Sequence, residues 1–103
     1  MAVGAAYLAK IQRAARLMNV SAAITQELTD TVEECRADLI RLGIPSDTAN
    51  DETDMHILDA VKRYTRWRFA MEPAEAARCA EEYREKADEL RRSTGYGLEV
   101  DGS

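Results

Sequence analysis

The chain has 103 residues (11.5 kDa), 46% of them hydrophobic and 32% charged, with a net charge of -5. That composition excludes a disordered chain, which carries too few apolar residues to bury, and it lacks the overall basic footprint with which proteins grip nucleic acid through its phosphates. A single domain of this length buries roughly 60 to 70 per cent of the surface its unfolded chain exposes, so neighbouring subunits stand to add stability.

With 5 Gly, 2 Pro and strong Ala, Glu and Arg usage, the chain favours helices over sheet. The predicted fold is all-α, a small antiparallel bundle of about four helices with a flexible C-terminal tail. It reads as one domain over residues 1–103: an N-terminal helix within 1–20, core helices over 25–92, and a tail over 93–103. The first helix spans Ala5 to Met18, where Ala5, Leu8, Ile11, Ala15 and Met18 recur at three- and four-residue steps. Residues 1–26 hold Lys10, Arg13 and Arg16 and no acid.

The second helix is expected from Thr25 to Leu42, with Leu28, Val32, Cys35, Leu39 and Leu42 as its apolar stripe and Gly43 as its C-cap. The charge reverses here. From Glu27 to Asp59 ten acids face only Arg36 and Arg41. A positive arm beside a negative middle suits a head-to-tail contact between unlike surfaces of two copies, although solvated helix faces account for the same pattern.

Residues 44–50 (IPSDTAN) read as a loop, since Pro45 disfavours helix at Ile44 and Ser46, Asp47 and Asn50 offer turn chemistry. Asp51 or Thr53 is then expected to cap a third helix that ends near Met71. On it Ile57, Leu58, Val61, Tyr64, Thr65 and Phe69 share one face, while Lys62, Arg63 and Arg66 point away. The fourth helix is expected from Pro73 to Arg92, burying Ala76, Cys79 or Ala80, Tyr83, Ala87 and Leu90. Beyond it Gly95 and Gly97 bracket Tyr96.

Little in this pattern advertises chemistry. His56 is the only histidine, and Cys35 and Cys79 fall on apolar stripes outside any metal-ligand spacing, so they read as buried, reduced thiols. Gly-rich phosphate loops, nucleophile elbows and zinc-protease helices are not found. No catalytic residue, cofactor or metal is expected, and the protein is read as a non-enzyme. The start MAVGAAYLAKIQRAARL sets charges inside its apolar segment, which argues against a secretory leader, and no run reaches the length of a membrane span.

The run Tyr64-Thr65-Arg66-Trp67-Arg68-Phe69 interleaves aromatics with arginines as a stacking surface for nucleic acid does, yet on a helix Tyr64 and Phe69 turn inward and core packing explains most of it. Arg68 projects among Val61, Tyr64 and Thr65, so it must pair with an acid, snorkel outward or reach a partner. Arg66, Trp67, Arg68, Tyr96, Leu98 and Val100 are the candidate interface residues.

Three features taken in order carry a resemblance. Ala37-Asp38-Leu39-Ile40-Arg41-Leu42-Gly43-Ile44 closes one helix, a later apolar helix ends on Tyr64 to Phe69, and a helix with central Tyr83 runs through Leu90 into the segment to Tyr96. Over about 70 residues this order resembles the head-tail connector (adaptor) proteins of tailed bacteriophages. The resemblance implies a structural virion protein at the portal vertex, present in the host cytoplasm during assembly. It implies a homo-oligomeric ring, expected to be dodecameric, seated between the portal protein and a stopper or tail-completion protein. Genomic DNA would pass through the ring without specific binding, and an acidic lining suits such a conduit because it repels phosphates. The tail with Tyr96, Leu98 and Val100 would dock on the portal. The competing reading is a small helical binding or regulatory module that meets a host protein or DNA through Lys62, Arg63 and Arg66.

Overall fold

Local signals in the chain place each helix in the computed structural model, which describes residues 2–17 and 20–93. Among these, five helices and no strand are found: α1 (Ala5–Ala14), α2 (Ala22–Arg41), α3 (Ser46–Ala49), α4 (Met55–Phe69) and α5 (Pro73–Arg92). The protein is a small all-α helical bundle. Of the tail expected over 93–103, Ser93 is the C-cap of α5, and residues 94–103 lie outside the described residues.

α1 stops at Ala14, a turn earlier than the Met18 expected from periodicity. Arg16 adopts φ 61°, and the amide of Leu17 donates to the carbonyl of Gln12 at 3.1 Å while that of Arg16 donates to Arg13 at 3.0 Å. These are the closing bonds of a left-handed helix end. The sequence concealed it because arginine stands where glycine usually does. Tyr7 and Ile11 are the buried residues of α1, whereas Ala5 is exposed.

α2 begins three residues before the expected Thr25, because Ser21 Oγ accepts the amide of Ile24 at 3.2 Å and so caps it. Its far end repeats the motif of α1. Gly43 takes φ 111°, and the amide of Ile44 donates to Leu39 at 3.0 Å. The IPSDTAN loop contains one helical turn, α3, because Ala49 and Ile44 bury their side chains while Asn50 Nδ2 donates back to the carbonyl of Ser46 at 2.9 Å.

The cap of α4 is Asp54, neither Asp51 nor Thr53. Asp54 Oδ1 accepts the amides of His56 (2.8 Å) and Ile57 (3.0 Å), while Asp51 Oδ1 is engaged by the amide and hydroxyl of Thr53. α4 ends at Phe69, and α5 spans Pro73–Arg92 as its proline start and arginine end predict. His56 and Asp59 lie against Lys86, while Arg63 and Tyr64 lie against Glu82 and Tyr83, so α4 and α5 run antiparallel.

The core forms where the stripes meet. Leu28, Val32, Cys35 and Leu39 of α2, Ile57, Ala60, Val61 and Tyr64 of α4, and Tyr83, Ala87 and Leu90 of α5 are buried with Tyr7 and Ile11. Each fully buried leucine or isoleucine contributes about 1.5–3 kcal/mol. Phe69 is only partly buried against this core, since it is the last residue of its helix.

Candidate interaction surface

Successive helical residues point about 100° apart, and that separates the three arginine and tryptophan candidates that the sequence groups together. Arg66 turns to α1, where its Nε donates to the carbonyl of Ala14 at 3.2 Å. Trp67 turns toward α5, packing edge-on to Tyr64 (ring centroids 5.3 Å apart) and tilted on Tyr83 (6.3 Å). The guanidinium of Arg84 lies 5.7 Å from its ring. Arg68 turns to α2 and pairs with Glu34 at 3.5 Å, with Nη1 also donating to Tyr64 Oη at 3.3 Å. Arg68 is therefore acid-paired within the chain. Tyr96, Leu98 and Val100 lie outside the described residues.

What Arg66 does is join two basic segments that are some fifty residues apart in sequence. Lys10 and Arg13 of α1 come together with Lys62 and Arg66 of α4 around a surface depression of about 450 Å³, floored by Ala14, Met55 and Leu58. No acidic residue lines it. None of these four cations takes part in an ion pair among the described residues. Met55 is 74% exposed in their midst. The sequence had assigned only Lys62, Arg63 and Arg66 to a basic face, but Arg63 reaches Asp59 at 3.2 Å and the carbonyl of Glu82 at 3.1 Å, so it belongs to the α4–α5 contact.

The acidic counterpart lies on α2 and α3. Asp30, Glu33, Ala37 and Ile40 recur at steps of three and four on the exposed side of α2, and Ile40 is 39% exposed. Glu33, Arg36, Ala37 and Ile40 line a groove of about 420 Å³ together with Ser46 and Asn50; Glu33 is the acid of that lining, and the charge of Arg36 is met by Glu52. Asp30, Glu33 and Asp47 form no ion pair among the described residues.

A buried polar cluster fixes the basic arm in place. Arg36, whose side chain is 4% exposed, pairs with Glu52 at 2.9 Å, donates to the carbonyl of Ala2 at 3.2 Å and stands 5.4 Å from the ring of Tyr7. Glu52 also accepts the amide of Gly4 at 2.9 Å. Glu52 is partly buried, which alone would raise its pKa; these hydrogen bonds outweigh that and hold it below the usual carboxylate value. Burial pushes the Tyr7 hydroxyl up to about 12.

A second cluster ties α5 to α2. Tyr83 Oη donates to Asp38 Oδ2 at 2.7 Å, and Arg41 holds the other oxygen of Asp38. Burial raises both the Tyr83 hydroxyl and the nearby Cys35 thiol. Cys35 and Cys79 are free and buried. His56 Nδ1 lies 3.3 Å from Lys86 Nζ, and among the described residues no three His, Cys, Asp or Glu side chains converge as a metal site. No helix among them is long and apolar enough to cross a membrane.

Comparison with protein-family models, with curated proteins and with solved structures finds no match to this chain.

Proposed function

We propose that the protein is a structural assembly subunit, a head-tail connector of a tailed-phage virion that forms a homo-oligomeric ring between the portal protein and a stopper or tail-completion protein. The observation that carries the reading is the placement of charge outside ion pairs among the described residues: four cations gathered on α1 and α4, and Asp30, Glu33 and Asp47 exposed on α2 and α3. Charged faces of opposite sign on different elements of one small domain favour repeated contact between unlike surfaces. The order of helices, with α2 closing at Gly43, α4 ending at Phe69 and α5 carrying Tyr83, supports the connector assignment in particular.

Electron microscopy of the protein co-expressed with the portal protein of the same genome tests this. A ring seated on the narrow end of the portal is the expected result, and bare portals beside free protein would overturn it. A second reading, a helical module that binds a host protein or DNA, draws on the basic depression being larger than Lys62 and Arg66 alone. Strongly salt-dependent binding of duplex DNA by the isolated protein would favour it.

A further inference from the structure

We infer that the contact between copies joins the basic depression of one subunit to the exposed face of α2 and α3 of the next, which carries Asp30, Glu33 and Asp47, with Met55 of the first seated beside Ile40 of the second. The inference rests on the assembly-subunit reading and adds which faces meet. Lys10, Arg13 and Lys62 would then oppose Asp30, Glu33 and Asp47 of the neighbour.

Two observations choose a second copy over other anionic partners. Met55 lines the depression beside the cations and is 74% exposed; a phosphate backbone gives its apolar side chain nothing to pack against, and Ile40 with Ala37 does. The unpaired groups on the two faces are also opposite in sign. Because the faces differ, the contact is heterologous and propagates from copy to copy until it closes.

The experiment measures the mass of the full chain in solution by light scattering, at low and at physiological salt, for the wild type and two variants. In one variant Lys10→Glu and Lys62→Glu cancel the net charge of the basic face; in the other Asp30→Lys and Glu33→Lys reverse the acidic face. These side chains make no ion pair in the described fold, and circular dichroism checks that both variants remain helical. The wild type is expected to assemble in a salt-sensitive way, each variant to run as a monomer, and an equimolar mixture to recover the assembly with both chains in it. Assembly that survives in both variants would overturn these faces while leaving the ring reading standing. A wild type that stays monomeric up to millimolar concentration would overturn the self-contact. So would duplex DNA binding lost on Lys10→Glu with Lys62→Glu, which would assign the depression to nucleic acid.

Discussion

Arg36 and Glu52 meet at 2.9 Å beneath the N-terminal segment, and the same carboxylate accepts the amide of Gly4. A buried guanidinium on α2 and an acid in the α3–α4 connection therefore anchor the chain just before α1. The basic depression depends on that anchor, because Lys10 and Arg13 reach Lys62 only while α1 lies on α4.

Glu52→Gln should destabilise the fold by about 2 kcal/mol near neutral pH, since it leaves the buried Arg36 without its anion. Glu52 titrates below its ordinary value when folded, so its contribution is present above the unfolded carboxylate pKa of about 4.3 and fades as pH falls through the folded value. The gap in urea midpoint between wild type and variant should accordingly close in acid. A constant gap down to pH 3, on the order of a unit below the unfolded pKa, would contradict the assignment.

The two helix ends built alike predict opposite effects. Gly43 sits at φ 111° and Arg16 at φ 61°. Gly43→Ala should cost about 1 kcal/mol or more, and Arg16→Gly should gain up to about 1 kcal/mol, because a β-carbon is strained where φ is positive. Thermal melting of the two variants against wild type measures both signs.

Tyr7, Tyr64 and Tyr83 all titrate above the ordinary tyrosine value, burial being the main cause in each. Their folded forms are neutral, so the stability they confer is complete below the unfolded pKa of about 10 and is lost as pH rises beyond it. Tyrosinate absorbance should rise in step with the loss of helical circular dichroism. Tyr83→Phe should lower stability by about 1–2 kcal/mol through the lost bond to Asp38; an unchanged urea midpoint would show that this bond adds nothing.

Cys35 is fully buried and Cys79 is 3% exposed, and burial holds the Cys35 thiol in its neutral form. A thiol-specific reagent at pH 8 should label neither in the native protein and both in urea. Fast native labelling of Cys35 would mean that α2 separates readily from α5.

Apolar spacing of three and four residues, with Gly43 and Pro73 as end signals, located α2, α4 and α5 and most of their buried stripes; Thr31, Arg36 and Ala60 are buried besides, and Leu42, Phe69 and Ala76 are only partly so. The same spacing contained a residue that sequence reasoning passed over. Lys86 lies in step with Cys79, Tyr83 and Leu90 and is 7% exposed, its charge met by Asp59 and Glu89. A charged side chain at a core position is legible only if its partners are known, and Asp59 is on another helix.

The helical class, the reach of α5 from Pro73 to Arg92 and the separation of a basic arm from an acidic middle are legible in residue order, since all three rest on local spacing and composition. Tertiary structure decided which charges belong together. Packing of α1 on α4 gathers Lys10 and Arg13 with Lys62 and Arg66, while Arg63 is drawn across to the carbonyl of Glu82 and Arg68 to Glu34. The physical reason is that a cation's neighbours across helices are set by interhelical contact, which leaves no trace in local spacing.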